Sequence, residues 1–227
     1  MSNKIHPTAI IEGDVGLGDD NEIGPYCVLL GPLTIGDRNQ IHPHVVIGTP
    51  GEDTRDPRHD ASDKPITIGN GNIIREFTTI QKPCYGPVTS LADDVFLMHG
   101  VHVPHDAILH DGVVVTPLCV LGGIVTILRH ATIGMGATLH QYSVVGHYSM
   151  TATGAAAMKN IRPFSRYIPG QPISVNRYPI EKFGFEHLED QITEYVLSDT
   201  TPEDADLRAM VAEYRQLHEA SGRREYS

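Results

Sequence analysis

Aliphatic residues return at every sixth position of this chain. The first series is Ile5, Ile11, Leu17, Ile23, Leu29, Ile35, Ile41 and Ile47. A second is Ile68, Ile74 and Ile80. A third runs Leu91, Leu97, Val103, Leu109, Val115, Leu121, Ile127, Ile133, Leu139, Val145, Thr151 and Ala157. Of these 23 positions, 21 are Ile, Leu or Val, although those types make up only 54 of 227 residues, so chance spacing is excluded. A period of six suits neither an α-helix, with its period of 3.6, nor a half-buried strand, with its period of two. It suits a coil with three short sides, one hexapeptide to a side.

Four residues after each aliphatic, the side chain is usually small: Ala9, Cys27, Thr78, Ala107, Cys119, Ala131, Ala137, Ser143, Ser149 and Ala155. Large and small inward residues in alternation fit a narrow prism. Glycine often follows the aliphatic, as in Ile23-Gly24, Ile35-Gly36 and Val145-Gly146, and is expected to supply the backbone angles of the corners. The fold class is therefore all-β, a parallel β-helix of hexapeptide repeats. Each coil should advance by the inter-strand spacing, giving a prism on the order of 35 Å long. The repeat breaks at residues 48–67, with Pro50, Gly51, Pro57 and Pro65, and at residues 81–90, with Pro83, Gly86 and Pro87. Both read as loops leaving the prism, where binding residues tend to lie.

After residue 160 the period stops. The expected organisation is a β-helix over residues 1–160 and an irregular segment with helices over 161–227. Residues 161–180 are Pro-rich, and residues 185–196 read as an amphipathic helix. Thr201-Pro202-Glu203-Asp204 reads as a second helix start, with Thr201 as the cap, Pro202 at the first position and the acids in the first turn. Leu207, Met210, Val211, Tyr214 and Leu217 supply its apolar stripe.

Composition narrows the function classes. Lys and Arg number 17 against 28 Asp and Glu, for a net charge of −11. That balance argues against non-specific nucleic-acid binding. No apolar run is long enough for a membrane span, and the first residues lack the apolar region of a signal peptide. The three cysteines, Cys27, Cys84 and Cys119, suit a reducing cytoplasm better than a disulfide framework.

Seven of the thirteen histidines lie between residues 99 and 147. The dense stretch is His99-Gly100-Val101-His102-Val103-Pro104-His105-Asp106. The hexad register turns Leu97 and Val103 inward. A neutral imidazole at His105 would be suited to take a proton from an acceptor hydroxyl or amine.

These residues resemble the hexapeptide-repeat acyltransferases, and within them the carrier-protein-dependent O-acyltransferases of lipid A synthesis that act on UDP-N-acetylglucosamine. The similarity runs from Ile5-His6-Pro7-Thr8-Ala9 through Ile23-Gly24-Pro25-Tyr26-Cys27 to Val175-Asn176 and Gly184-Phe185. It implies a left-handed coil, a homotrimer with active sites between prisms, and a soluble cytoplasmic enzyme with no bound cofactor or metal. It also implies His105 as general base, His102 as its neighbour in the family's His-x-x-His-Asp element, and Asp106 as the acid that follows. The Gly123 N–H would face the oxyanion. Asp53 and Arg55 of the first loop, with His140 and Gln141, would contact the nucleotide sugar or thioester arm. Arg166 and Arg177 would hold the acyl donor. Lys159, Arg162, Arg166 and Arg177 together would form a basic patch for acyl carrier protein or coenzyme A.

Two departures separate this chain from the family. Ile124 stands where the family has a histidine, and Lys182-Phe183 stands where it has a basic pair. They keep open an alternative, N-acylation of a nucleotide-linked amino sugar by an acyl-coenzyme A. A zinc-dependent β-helix carbonic anhydrase is a weaker rival. His105 and His110 have its pair spacing, but its third histidine has no counterpart upstream.

Overall fold

The computed structural model describes residues 2–56 and 60–227; Pro57 of the first loop lies outside the described residues. The chain winds as a left-handed parallel β-helix of short strands. Among the described residues the strands form three faces of ten, eight and seven strands, and before the strand Ser165–Tyr167 each strand pairs with the third one along the chain. We call these the first, second and third faces. Lys4 pairs with Glu22 and Ile5 with Ile23, so one coil is 18 residues. The step lengthens to 33 residues across the first loop and 23 across the second. The first-face and third-face strands keep their register across both loops, while on the second face the pairing shifts by one residue at Gln81, which meets Thr49 where the loops leave.

The six-residue series lies inside. Every member from Ile23 to Val145 is buried, and Val45, Val95, Val101, Val113 and Val125 join the small residues at the second inward position. Ile5 and Ile11, by contrast, are 43% and 37% exposed, because the first coil has a neighbour on one side alone. Three inward positions hold asparagines that the aliphatic pattern did not reveal: Asn21, Asn39 and Asn72, all fully buried. They form a ladder. Asn39 N–H donates to Asn21 Oδ1 at 2.9 Å, Asn72 N–H to Asn39 Oδ1 at 2.9 Å, and Val95 N–H to Asn72 Oδ1 at 2.7 Å. Stacked amides thus satisfy corner N–H groups that an aliphatic there would leave bare.

The glycines after the aliphatics have a different cause from the one expected. Gly24, Gly36 and Gly69 keep ordinary negative φ, and a Cβ on Gly36 would lie 2.5 Å from Asn70 Oδ1. They are small because the next coil passes close. The left-handed conformation falls two residues later, on Tyr26, Arg38 and Gly71.

The prism also extends past residue 160. The strand Ser165–Tyr167 continues the first face in parallel, and Ser174–Val175 then closes it antiparallel. Helix α1 spans Arg177–Lys182, α2 spans Glu189–Ser198 and α3 spans Ala205–Ser221. Among the described residues no helix precedes α1. The expected helix over 185–196 begins instead as a 3-10 turn over Glu186–Leu188 and becomes α-helical at Glu189. The start of α3 is also later than expected. Its cap is Asp204, whose carboxylate accepts from Asp206 and Leu207 N–H at 3.0 Å each. The apolar stripe holds: Leu207, Val211 and Tyr214 are buried against the prism and its cap. No described helix is long and apolar enough to cross a membrane.

Candidate active site

The strand His102–Val103 lies on the second face, and the chain then turns the corner toward the third. His102 pairs with Val120, Leu121 with Leu139, and Leu139 with Ala157. The 18-residue register therefore stacks His105, Gly123, Gln141 and Lys159 at one corner. Corner position decides which side chains face outward together, however far apart they lie in sequence.

His105 is 6% exposed, as is Asp106. Asp106 has φ of +61°, a turn that swings its carboxylate back onto its own neighbour. His105 Nδ1 lies 2.7 Å from Asp106 Oδ2. The same carboxylate accepts the backbone N–H groups of Cys84 at 3.1 Å, Tyr85 at 3.2 Å and Gly86 at 2.6 Å, all from the second loop. Burial pushes the Asp106 pKa up, but the bonds from His105 and the three N–H groups outweigh it and hold the carboxyl below its ordinary value. A charged carboxylate beside Nδ1 fixes the neutral imidazole with its proton on Nδ1 and its lone pair on Nε2.

That free edge faces Gly123. A Cβ built there would lie 2.4 Å from both Cε1 and Nε2 of His105, so the corner has room for a glycine and nothing larger. The Gly123 carbonyl accepts from Tyr142 N–H at 2.9 Å, while its own N–H has no backbone acceptor among the described residues. Ile124, the departure from the family pattern, occupies the left-handed position that follows, with φ of +62°.

The first loop closes the opposite wall. Gly51 packs on Cys84 Sγ and His105 Cβ, where a Cβ would come within 2.6 Å of each. Arg55 grips Asp53 with Nη2 at 2.7 Å and Nε at 3.1 Å, and its guanidinium lies 4.7 Å over the Tyr85 ring. Tyr85 O–H donates to Asp53 at 2.6 Å, which ties the two loops together. Arg55 and then Tyr85 hold the Asp53 carboxyl well below the usual carboxylate range. Glu52, Asp53, Arg55, His105, Gly123, His140 and Gln141 line one cavity of about 540 Å³.

Other expected residues fall elsewhere. His102 is half-buried and lies 2.8 Å from Thr79 Oγ1; burial pulls its pKa below the ordinary imidazole value. Arg166 and Arg177 share a separate cavity of about 560 Å³ and do not reach His105 within one chain. Arg177 is paired with Glu189. The expected basic patch does not assemble either. Arg162 is buried, donates to the Val196 carbonyl at 3.1 Å and pairs with Glu225. His110, of the zinc-like pair, lies against Glu213 of α3 at 3.8 Å. Cys84, His105 and Asp106 offer ligand atoms within 4.8 Å of one another, but the Asp106 oxygens already serve four donors. The sequence reading missed Cys84, Tyr85 and Gly86 as the cradle of Asp106, because backbone donors leave no residue-type signal.

Comparison with known proteins now bears on this geometry. Residues 14–49 match the model of the bacterial transferase hexapeptide. The chain resembles the hexapeptide-repeat acyltransferases. It is 30% identical over 139 residues to the acyl-[acyl-carrier-protein]–UDP-N-acetylglucosamine O-acyltransferase of Alkalilimnicola ehrlichii, covering 59% of this chain and 54% of that one. It is 35% identical over 117 residues to the enzyme of the same name from Nautilia profundicola, covering 51% and 45%. The chain thus spans about half the length of the curated relatives it matches. Among solved structures, LpxA of Bacteroides fragilis, a UDP-N-acetylglucosamine acyltransferase, superposes with a TM-score of 0.80 at 25% identity, covering 98% of this chain and 100% of that one. The Campylobacter jejuni enzyme gives 0.79 at 24% over 92% and 95%, which bears on fold alone.

Proposed function

We propose that this chain transfers an acyl group from acyl carrier protein to the 3-hydroxyl of UDP-N-acetylglucosamine or a close nucleotide sugar. The observation that carries the reading is the buried His105–Asp106 pair, whose free imidazole edge faces Gly123 across a cavity rimmed by polar side chains. His105 Nε2 takes the proton of the acceptor hydroxyl as its oxygen attacks the thioester carbonyl carbon. The Gly123 N–H meets the charge developing on the carbonyl oxygen. When the tetrahedral adduct collapses, the carbon–sulfur bond breaks and the proton passes from Nε2 to the departing thiolate. Asp106 holds the ring in the tautomer this requires. No covalent acyl-enzyme enters the sequence. Asp53, Arg55, His140 and Gln141 bind the acceptor, and His102 stands at the edge of the site.

A homotrimer belongs to this reading. The outward side chains Ile10 and Val120 of the second face are 48% and 49% exposed, and Tyr26, Phe77 and Leu118 at the adjoining corner exceed 55%. An apolar strip of that kind is what a second copy would cover. A donor role for Arg166 and Arg177 then requires that they meet His105 of a neighbouring copy.

The test is His105→Ala in full-length protein. The expected loss in kcat is at least about 100-fold with a folded protein and near-normal substrate binding. A folded variant retaining more than about a tenth of kcat removes His105 as the base. Running the assay with UDP-N-acetylglucosamine and with a nucleotide-linked amino sugar, each with both donor classes, separates O- from N-acylation.

A further inference from the structure

The C-terminal tail places charge where the rest of the chain has little to spare. Asn160 N–H donates to the Arg224 carbonyl at 2.9 Å, and Tyr226 N–H donates back to the Asn160 carbonyl at 2.9 Å. The Asn160 side chain also donates to Ser221 Oγ at 2.8 Å. The tail is thereby fixed along the edge of the prism, one coil beyond Gln141. There Lys159, Arg223 and Arg224 line a cavity of about 510 Å³ together with Tyr142 and Met158. Among the described residues no carboxylate lines it. Among the described residues none of the three cations has an ion pair. In a chain of net charge −11, three uncompensated cations around one cavity call for an anionic ligand.

This cavity adjoins the catalytic one. Arg223 donates through Nη2 to His140 Nδ1 and through Nη1 to the Met158 carbonyl at 3.3 Å, and its Nε is buried without a partner. A guanidinium has only donors, so His140 Nδ1 accepts and the ring proton sits on Nε2, directed by the tail. Lys159 stands two coils beyond Gly123 in the corner column that begins at His105, about 14 Å along the prism from that base. Two guanidiniums and an ammonium match a phosphoryl group, which offers several oxygens to forked donors.

We infer that Lys159, Arg223 and Arg224 form a phosphoryl-binding subsite that extends the His105 cavity and holds a phosphate of one of the two substrates. The phosphate is either the diphosphate of the nucleotide sugar or the phosphate of the donor's phosphopantetheine arm. The kinetic part of the test rests on the acyl-transfer reading; the binding part does not. The variants are Arg223→Gln with Arg224→Gln, and separately Lys159→Gln. The Asn160 bonds to the tail backbone do not involve these side chains, so the fold should hold, with the melting temperature unchanged in Lys159→Gln and lowered in the double variant only by loss of the Arg223 bonds to His140 and Met158. Titration calorimetry with inorganic pyrophosphate should show affinity falling about tenfold or more in the double variant and less in Lys159→Gln. In steady-state assays one substrate's KM should rise about tenfold, and the other's should stay within about twofold. A rise in the nucleotide-sugar KM that Lys159→Gln shares with the double variant assigns the diphosphate, since it is Arg223 that bonds His140. A rise in the donor KM that disappears with an acyl-pantetheine lacking phosphate assigns the arm. Unchanged pyrophosphate affinity in both variants overturns the subsite, as do unchanged KM values in a chain that transfers acyl groups. Should the chain transfer none, the pyrophosphate titration alone decides.

Discussion

Two columns of corner residues in this prism follow opposite rules. At the corner between the third and first faces stand Asp19, Asp37, Asn70, Asp93 and Asp111. From Asp37 onward, each side-chain oxygen receives the backbone N–H one coil earlier: Asp19 N–H to Asp37 at 2.8 Å, Asp37 N–H to Asn70 at 2.8 Å, Asn70 N–H to Asp93 at 2.7 Å, and Asp93 N–H to Asp111 at 3.2 Å. The column repeats one chemistry and so satisfies itself. At the corner between the second and third faces stand His105, Gly123, Gln141 and Lys159. These are four unlike chemistries, and their polar atoms turn to loops, cavity and tail rather than to each other. In a repeat fold, a column that keeps its residue type carries structure. A column that changes type at every step leaves groups free for a ligand.

Changes at the His105 corner should be the costly ones. Asp106→Ala strips a buried imidazole and three backbone N–H groups of their acceptor, and should destabilise the chain by about 3 kcal/mol and slow turnover as well. Urea unfolding with activity at equal folded fraction separates the two effects. The same group sets an acid limit. Its pKa is held below the unfolded value, so its contribution is complete above about pH 4 and is lost as pH falls through the lowered folded pKa. The fall in stability below about pH 4 should therefore be shallower in Asp106→Asn than in the parent.

Gly123→Ala comes next. The new methyl would meet His105 at 2.4 Å, against a ring that Asp106 prevents from withdrawing. We expect kcat to fall about 100-fold, because displacement of a base by an ångström costs that much, together with a loss of about 1–3 kcal/mol of stability from the overpacked corner. A fall in stability with kcat intact would mean that this corner is only structural.

The internal ladder gives the converse. Asn39→Ala removes the acceptor of the buried Asn72 N–H and the donor to the part-buried Gly69 carbonyl at 2.9 Å. The expected cost is about 2 kcal/mol of stability, with kcat at low temperature unaltered. Thermal unfolding beside a kinetic assay reads both.

The two columns were unequally legible in the sequence. The aliphatic period identified the prism because burial at every sixth residue is what the coil requires, and the buried series from Ile23 to Val145 follows it. His105, Gly123, His140 and Gln141 were named from family resemblance and fall in one cavity because 18-residue stacking aligns them. Contacts between distant segments were not legible. Arg223 meets His140 across 83 residues, and Arg162 turns inward to Glu225 instead of joining a surface patch. The Thr201 start also failed on local physics: Asp204 can cap two N–H groups of α3, and its carboxylate favours the helix N-terminus more than a hydroxyl does.

The smallest effect should come from the self-satisfied column itself. Asp93 accepts Asn70 N–H at 2.7 Å and the Asn70 amide at 3.1 Å, both on Oδ1. An asparagine at 93 keeps a carbonyl oxygen in that place, as Asn70 already does for Asp37. Four carboxylates stacked at one corner repel one another, and removing one charge offsets the weaker acceptance of an amide oxygen. Asp93→Asn should therefore change stability by less than about 0.5 kcal/mol, with the balance tilting toward the variant at low ionic strength, where repulsion is least screened. Urea midpoints at low and high salt measure it. A loss of about 2 kcal/mol at either salt would mean that this column depends on charge rather than on its repeated oxygen, and would place it with the His105 column instead of opposite it.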